Sequence, residues 1–309
     1  MKTRIYLLSM AAFLTLGYIG CKKDTVSPPV VDYSTEMATH TDDDSRFSTE
    51  IDAVADDANT VVDNYTSING RIDGVMGIPC DATVTVDSLN STRTVTITYN
   101  GNNCNGNRTR TGVVKISIPS TMRWKDVGAV LTVNIQNLKI ARVRDNKSIT
   151  INGTTTFTNV SGGLLRNLAA LGTITHKISS TGITVTFDNG SVRSWQIAKQ
   201  RVFTYNNGIV ITTTGTHTDN GTTGIAEWGT NRFGNAFVTA ITQPLIVRQD
   251  CSFRLTAGQV THSRLNGTGV VTFGLDASGN PTSCPAGVYY FKLVFTGLAG
   301  VVRTVILPY

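Results

Sequence analysis

Acidic side chains are scarce through most of this 309-residue sequence, and the common catalytic motifs are missing. From Asn69 onward there is one glutamate, Glu227, beside nine aspartates, most of them next to turns. A glycosidase needs two carboxylates that face one bond, so this scarcity argues against glycoside hydrolysis. The HExxH zinc motif, the GxSxG nucleophile turn and a glycine-rich phosphate loop are also absent. We therefore predict a protein that is not an enzyme, needs no cofactor and does not bind nucleic acid.

The side chains that could carry chemistry are too scattered in the sequence to define a site. No histidine has the spacing from another that a metal site requires: His40, His176, His217 and His262. The acidic residues near turns cannot be paired from sequence: Asp188, Asp219, Glu227, Asp250 and Asp276. His217-Thr218-Asp219 imitates part of a catalytic triad without a nucleophile turn, so we expect a surface strand or turn there. Asp42-Asp43-Asp44 lacks the alternating ligands and the glycine of a calcium loop, so no metal site is predicted.

Long apolar runs are missing after residue 20, where no stretch reaches the roughly 18 consecutive apolar residues of a transmembrane helix. The N-terminus differs. Lys2 and Arg4 precede an apolar run over residues 5–16, and Gly20 stands directly before Cys21. A basic start, a short apolar run and a small residue at the cleavage point are typical of a secretory signal peptide. We predict that residues 1–20 form a lipoprotein signal and that Cys21 is lipidated.

Two simpler interpretations of this N-terminus stay open. Tyr18 stands where an aliphatic residue is commoner in a lipobox, so a plain secretory signal cut nearby is one of them. An uncleaved membrane helix is the other, although residues 5–16 are too short to cross a hydrocarbon core of about 30 Å. In the lipoprotein interpretation, Cys21 carries diacylglycerol and usually an N-acyl chain. Two or three acyl chains hold a protein stably on a membrane.

Cysteine is rare, and its positions predict disulfide bonds. Four of the five cysteines remain beyond the lipidation site: Cys80, Cys104, Cys251 and Cys284. An even number of cysteines in an exported protein favours disulfides over free thiols. Because each sequential pair flanks one predicted hairpin region, we favour Cys80–Cys104 and Cys251–Cys284. No CxxC spacing supports metal binding instead.

Downstream of the signal, the sequence divides into three parts. Residues 21–43 contain Ser27-Pro28-Pro29 and few large apolar side chains, which predicts a flexible tether. Residues 44–68 predict one amphipathic helix, because apolar residues recur every three or four positions: Phe47, Ile51, Val54, Ala58, Val61 and Tyr65. We expect this stripe to pack on the rest of the protein, with a partner helix or self-association as the alternative.

The third part, residues 69–309, shows a period of two and predicts a mainly β fold. Apolar residues alternate with threonines in Arg93-Thr94-Val95-Thr96-Ile97-Thr98-Tyr99, and similar runs are separated by Asn-Gly turns. We predict a large antiparallel β body, either a sandwich or an extended curved sheet, with one wet, threonine-bearing side. Leucines at helical spacing in residues 161–171 predict a short helix or a covering loop.

Charge and tryptophan give weaker indications of partners. The net charge is −8 between Lys22 and Ile68 and +12 from Asn69 onward. A basic body could attract lipopolysaccharide or acidic glycans, but the bases are dispersed along strands, which favours a solvated surface. Three tryptophans lie in or near polar β segments: Trp124, Trp195 and Trp228. Such a ring could stack on a sugar if exposed, or pack at the edge of the sheet.

Several turn and cysteine motifs resemble those of a family of outer-membrane lipoproteins of gram-negative bacteria. They are Ile78-Pro79-Cys80 before a Val/Thr strand, Asn103-Cys104-Asn105-Gly106 before Arg108-Thr109-Arg110-Thr111-Gly112, and Gln243-Pro244-Leu245 before Cys251. The resemblance covers the chain from about Cys80 to the C-terminus. It implies a β-rich fold and a lipid-anchored place at the outer membrane, on the periplasmic or the surface face. It carries no catalytic or ligand-binding residue over to this chain.

These features favour an exported lipoprotein with a non-enzymatic binding or envelope-structural role. Its expected partners are the membrane, through the lipid anchor, and a glycan or a lipid. The alternative is a carrier of lipid or lipopolysaccharide, in which residues 47–65 form a lid over an apolar sheet face. A glycan hydrolase or an esterase is the third hypothesis, and it would depend on Glu227 or on an aspartate at a turn.

Replacing Cys21 by serine tests the anchor. Serine has no thiol to alkylate, so Cys21→Ser is expected to prevent attachment of the acyl chains that hold the protein on the membrane. Intact-mass spectrometry and cell fractionation measure the loss of the acyl groups and of lipid-dependent membrane attachment. A variant that stays membrane-bound with an unchanged mass would contradict lipidation at this residue.

Overall fold

The computed structural model describes residues 33–64, 79–88, 91–180, 182–264, 266–284, 287–298 and 300–309. The predicted signal peptide, Cys21 and most of the predicted tether lie outside the described residues, as does Tyr65. Within these ranges, no helix is both long enough and apolar enough to cross a membrane.

The described residues form sixteen strands that belong to one antiparallel sheet. The strands are β1 (Ala82–Asp87), β2 (Thr92–Asn102), β3 (Arg108–Pro119), β4 (Ala129–Arg142), β5 (Ser148–Asn159), β6 (Thr173–Ser180), β7 (Ile183–Phe187), β8 (Val192–Tyr205), β9 (Ile209–Gly215), β10 (His217–Asp219), β11 (Thr222–Thr230), β12 (Ala236–Arg248), β13 (Arg254–Arg264), β14 (Gly267–Leu275), β15 (Tyr290–Gly297) and β16 (Val302–Pro308). This confirms the predicted mainly β fold. Of the two predicted architectures, it corresponds to the extended sheet.

Strands that are neighbours in sequence are mostly neighbours in the sheet. The order is β1-β2-β3-β4-β5-β6-β8-β11-β12-β13-β14-β15-β16. β6 and β7 lie end to end, and each pairs with β5 on one side and with β8 on the other. In the same way, β9 and β11 each pair with β8 on one side and with β12 on the other. Asn-Gly turns favour this meander. Asn220 and Gly221 join β10 to β11 with φ angles of 45° and 78°, and a type I′ turn needs positive φ at both positions.

One long helix, α1 (Ser34–Asn64), packs against the sheet. Its apolar stripe is buried in one cluster with inward side chains of β2 to β8, which confirms the predicted packing: Phe47, Ile51, Val54, Ala58 and Val61. Near the other end of α1, Met37 is buried with Phe291 and Leu293 of β15. A single helix can reach strands this far apart in the order because the sheet curves around it.

The helix begins at Ser34, so the boundary predicted at residue 44 is too late and residues 34–43 are not a tether. In this first part of α1, four of the buried positions carry polar side chains, those of His40, Thr41, Asp43 and Asp44. An apolar stripe could not be recognised there, although the helical period continues. Glu36 lies in the first turn, where a carboxylate suits the positive end of the helix dipole.

Both predicted disulfides are present. The Cα atoms of Cys80 and Cys104 lie 5.2 Å apart, and those of Cys251 and Cys284 lie 4.9 Å apart. The predicted interruption of the β pattern is confirmed as a 3-10 turn (Leu165–Asn167) followed by a one-turn α-helix (Leu168–Leu171).

The acidic side chains of α1 pair with basic side chains of the sheet and its turns. The pairs are Glu36–Arg264, Asp42–Arg142, Asp43–Arg232, Glu50–Arg108, Asp56–Arg201 and Asp57–Arg110. Arg201 and Arg264 expose only 3% and 1% of their side chains. The prediction of a dispersed, solvated basic surface is wrong for these residues. The anionic partner of these bases is the chain's own helix.

Arg110 on β3 shows how these pairs are built. Its Nε and Nη2 each donate to Asp81 at 2.6 Å, and its Nη1 donates to Asp57 on α1 at 2.7 Å. The ring of Tyr99 lies 4.3 Å from the guanidinium carbon, and the Tyr99 hydroxyl donates to Asp57 at 2.9 Å. Burial alone would lower the pKa of Arg110, but the hydrogen bonds to Asp81 and the charge of Asp57 outweigh it and raise the pKa. The guanidinium therefore stays charged inside the protein.

Asp63 lies near the C-terminal end of α1, and the interactions of its carboxyl do not offset the effect of burial on its pKa. The backbone N–H groups of Arg166 and Leu165 act on its carboxylate and oppose the rise of its pKa, but Oδ1 has no hydrogen-bond partner among the described residues. The Arg166 guanidinium donates instead to the Asp63 carbonyl at 2.9 Å. Burial raises the pKa of the Asp63 carboxyl to about 7, although the hydrogen bonds and the charge of Arg166 oppose the shift.

Arg110→Met is expected to lower the free energy of unfolding by about 3–5 kcal/mol, because the buried Asp81 carboxylate loses its partner. Arg248→Met is the matched control, since the Arg248–Asp250 pair has a similar length but leaves 44% and 45% of its side chains exposed. The control should leave the stability nearly unchanged, because an exposed ion pair is screened by solvent. Urea unfolding followed by tryptophan fluorescence measures both. Equal effects of the two substitutions would contradict a buried role for Arg110.

Asp63→Asn is expected to flatten the dependence of stability on pH. The folded-state pKa of about 7 lies above the unfolded value of about 3.9, so the folded protein binds more protons between these values. Stability from this group therefore falls as pH rises from about 4 to about 7. Asparagine keeps an acceptor oxygen and has no charge to bury. The variant should match the wild type near pH 4 and be about 1–3 kcal/mol more stable near pH 8. Urea unfolding at both pH values measures this, and parallel pH profiles would contradict the assignment.

Candidate functional site

Six polar side chains, which we call the central polar cluster, are buried together between α1 and four strands: His40, Asp44, Lys199, Glu227, Thr239 and His262. His40 and Asp44 lie about one turn apart on the same face of α1. Glu227 on β11 is opposite Thr239 on β12, and Thr239 is opposite His262 on β13. Lys199 comes from β8. The cluster therefore joins the first half of α1 to the middle of the sheet.

Glu227 is held by a lysine and a tryptophan. Lys199 Nζ forms an ion pair with Glu227 Oε1 and donates to Ser48 Oγ on α1 at 2.6 Å. Trp195 Nε1 donates to Glu227 Oε2 at 2.6 Å. Burial would lower the pKa of Lys199, but the charge of Glu227 outweighs it and raises the pKa. The lysine is therefore protonated and links α1 to β8 and β11.

The hydroxyl of Thr239 connects Asp44 to His262. Thr239 Oγ1 donates to Asp44 Oδ1 at 3.0 Å and lies 2.9 Å from His262 Nδ1. A hydroxyl has one proton, so when Thr239 donates it to Asp44, Nδ1 must be the protonated nitrogen of His262. The Nε2 atom of His262 then carries a lone pair, and it has no hydrogen-bond partner among the described residues.

His40 is buried without a hydrogen bond to either ring nitrogen from the described part of the chain. Its ring centroid lies 4.6 Å from that of Phe237, 5.0 Å from that of His262 and 6.1 Å from that of Trp195. Burial, together with the charges of His262 and Arg264, holds the pKa of His40 well below its usual value. The imidazole is therefore neutral and carries one nitrogen lone pair.

Burial also shifts the other titratable groups of the cluster. It raises the pKa of Asp44 to about 6 and that of Glu227 to about 7, while the charge of Lys199 acts in the opposite direction. It lowers the pKa of His262 to about 4. Shifted carboxyls beside neutral histidines are typical of acid–base catalysis. However, each of the six residues is at most 6% exposed, so a substrate could reach them only if α1 moved away.

Of the two alternatives for the tryptophans, packing within the protein is observed for Trp124 and Trp195. Both rings are fully buried, so neither can stack on a sugar. Trp124 packs with its ring centroid 5.0 Å from that of His176, and Trp195 packs among the aromatic rings around His40. Trp228 is half-buried, and one face of its ring stacks on His217 with the centroids 4.2 Å apart.

The other acidic residues considered in the sequence have separate local partners. Those near turns contact nearby side chains or backbone: Asp188 with Arg232, Asp219 with Asn220, Asp250 with Arg248, and Asp276 with Ser278 and Asn280. The three consecutive aspartates of α1 also have different partners: Asp42 with Arg142, Asp43 with Arg232, and Asp44 with Thr239. Among the acids named from the sequence, Asp44 and Glu227 are the two that enter the central polar cluster.

The approach of His40 to His262 was missed because their spacing in the sequence indicates nothing about it. The available signal was local: His40 and Asp44 are four residues apart and continue the helical phase of the stripe that begins at Phe47. Which strand faces them depends on how the sheet curves, and no short-range pattern encodes that curvature. Comparison of the chain with protein-family models, with curated proteins and with solved structures found no match.

Proposed function

We propose that this chain is a membrane-anchored, exported protein with a non-enzymatic role in binding or in the structure of the cell envelope. The lipobox-like residues before Cys21 support the anchor. Two disulfides are consistent with an oxidising compartment. The turn and cysteine motifs that resemble outer-membrane lipoproteins support a place at the outer membrane.

The observation that carries this proposal is that α1 fills the inner face of the sheet. Its apolar stripe is buried against the strands, and its carboxylates pair with inward bases such as Arg110 and Arg201. A lipid carrier would need this face for acyl chains, and lifting α1 as a lid would separate Arg201 from Asp56 and Arg110 from Asp57. Separating one buried ion pair typically costs about 3–5 kcal/mol. The contacts of α1 therefore disfavour the carrier hypothesis.

The same helix disfavours the hydrolase hypothesis. A glycoside hydrolase needs two carboxylates on either side of a bond that the substrate can bring between them. The fold does bring Asp44 and Glu227 into one cluster, but Asp44 lies on the inner face of α1 and Glu227 lies beneath that helix, so both are almost inaccessible. We infer that these carboxyls stabilise the docked helix and do not act on a substrate.

The outer face of the sheet is available for contacts with other envelope components. Five short side chains on β2 to β6 lie opposite one another in register, and we call them the hydroxyl row: Thr94, Ser117, Thr132, Thr156 and Ser179. Neighbouring strands are about 4.7–4.9 Å apart, so the row presents hydroxyls at regular intervals. Ser117 donates to the Thr132 carbonyl, and the hydroxyls of Thr156 and Ser179 hydrogen-bond to each other, but every hydroxyl of the row can still accept a hydrogen bond from a glycan. We infer that an envelope glycan contacts this row.

Thr132→Glu combined with Thr156→Glu places two longer, charged side chains in the middle of the hydroxyl row. If the row contacts glycan, this double variant should bind purified peptidoglycan sacculi at least about tenfold more weakly than the wild type, a difference of about 1.4 kcal/mol. The new carboxylates would block contacts between neutral hydroxyls. Cosedimentation of the full chain with the sacculi measures the affinity.

Thr268→Glu combined with Thr296→Glu is the matched control, because these two exposed threonines also lie opposite each other, on β14 and β15. It should bind sacculi as the wild type does. Equal weakening by the two double variants would contradict a role for the hydroxyl row. No binding by the wild type would contradict a peptidoglycan partner, and cleavage of the sacculi by the purified wild type would contradict the non-enzymatic role.

A further inference from the structure

Three side chains of the central polar cluster have the atoms and the spacing of a metal site. One ligand atom from each of His40, Asp44 and His262 lies within 4.8 Å of the other two, and all three residues are buried. The ring centroids of His40 and His262 are 5.0 Å apart, and the rings are inclined by 73°. Two imidazoles on one tetrahedral zinc ion, with bonds of about 2.0–2.1 Å, also have ring centres about 5 Å apart.

Three ring nitrogens of this group have no hydrogen-bond partner in the described part of the chain. Neither nitrogen of His40, nor Nε2 of His262, has a hydrogen-bond partner there. Buried polar atoms in native proteins are nearly always satisfied, so three unpartnered nitrogens on two adjacent histidines require a specific cause. A bound metal ion would satisfy one lone pair on each ring.

Thr239 contacts the ring nitrogen of His262 that would point away from a bound metal ion. Histidines that bind a metal usually donate their other N–H to an oxygen atom, which fixes the tautomer and orients the ring. Here Nδ1 of His262 lies 2.9 Å from Thr239 Oγ1, and that hydroxyl donates to Asp44. The hydroxyl therefore links two of the three ligands and leaves Nε2 free to bind an ion.

The charges around the three ligands favour a cation. Asp44 and Glu227 are two carboxylates, and Lys199 is the base that forms an ion pair with Glu227. Arg264 lies near both histidines, but its guanidinium pairs with Glu36 at 2.7 Å. When both carboxyls are ionised, the cluster has one negative charge that these bases do not neutralise. A cation bound by Asp44 would compensate it.

We propose that His40, Asp44 and His262 bind one divalent transition-metal ion, which fastens α1 to β13. Two imidazoles and one carboxylate suit zinc and neighbouring first-row metals, whereas calcium and magnesium prefer oxygen ligands. The burial of all three ligands indicates a structural ion. Because the ligands come from distant parts of the chain, they meet only when α1 docks, and metal binding is coupled to folding.

A second group of potential ligands within the described ranges carries no such proposal. Asp250, Cys251 and Cys284 also lie close together. However, the two sulfur atoms are joined in a disulfide, so neither is available as a thiolate.

The first test uses the full chain without a metal-binding affinity tag. The protein is unfolded in a chelator with its disulfides intact, refolded with or without Zn²⁺, dialysed, and measured for metal by plasma mass spectrometry. We expect one zinc ion per chain, and a melting temperature that is several degrees higher with zinc, because the ion binds only the folded state. Wild-type protein that refolds in the presence of Zn²⁺ and retains none would overturn the proposal, and this outcome requires no variant.

His40→Gln and His262→Gln each remove one ligand and keep a polar side chain. Each should weaken zinc binding at least about tenfold and abolish the dependence of the melting temperature on zinc. His176→Gln is the matched control: His176 is also buried with an unpartnered Nε2, but it packs against Trp124 and Phe203 outside the cluster.

The control variant should bind zinc as the wild type does. Wild-type affinity in His40→Gln or His262→Gln, or an equal loss in His176→Gln, would overturn the assignment of these ligands. If a ligand variant fails to fold, the zinc content of the refolded wild type still decides whether the chain binds the ion.

Discussion

The docking of an acidic helix on a basic sheet is the interaction on which the rest of this structure depends. The strands place Arg110, Arg201 and Arg264 on their inner face, and each of these bases pairs with a carboxylate of α1. Buried ion pairs add little net stability compared with apolar contacts, but separating them is costly. The apolar stripe thus supplies much of the free energy of docking. The charged pairs define which face of α1 meets the sheet and how far along the sheet it lies.

The two halves of α1 are attached by different physical means. From Phe47 onward the helix contacts β2 to β8 through an apolar stripe, whose burial varies little with pH or with ions, and through the ion pairs of Glu50, Asp56 and Asp57. Before Phe47, the inward positions include His40, whose ring packs against those of Phe237 and His262, and Asp44, which accepts a hydrogen bond from Thr239. The first half of α1 therefore depends mainly on groups that protons and bound cations can affect, whereas in the second half such groups add to an apolar stripe.

Much of the fold could be predicted because its signals are local. Alternation along strands, Asn-Gly turns and the spacing of the cysteines each concern a few neighbouring residues, and they led to the correct fold class and both disulfides. The contents of the inner face could not be predicted in this way. Alternation along β8 shows that Trp195, Lys199 and Arg201 share one side of the strand, but not that this side is buried. The basic side chains of the strands were expected in solvent because the acidic side chains that pair with them lie on a helix that is distant in sequence. The central polar cluster was missed for the same reason.

The position of α1 at the start of the described chain has a consequence for the order of folding. Glu36 is synthesised early, whereas Arg264, its ion-pair partner, follows 228 residues later in the sequence. Until β13 has been synthesised, Glu36 and His40 lack Arg264 and His262, the side chains that they contact in the folded protein. Contacts of such long range form slowly, and incompletely covered sheets aggregate readily. The interval between the emergence of α1 and the arrival of β13 is therefore the stage at which this protein most needs protection by chaperones.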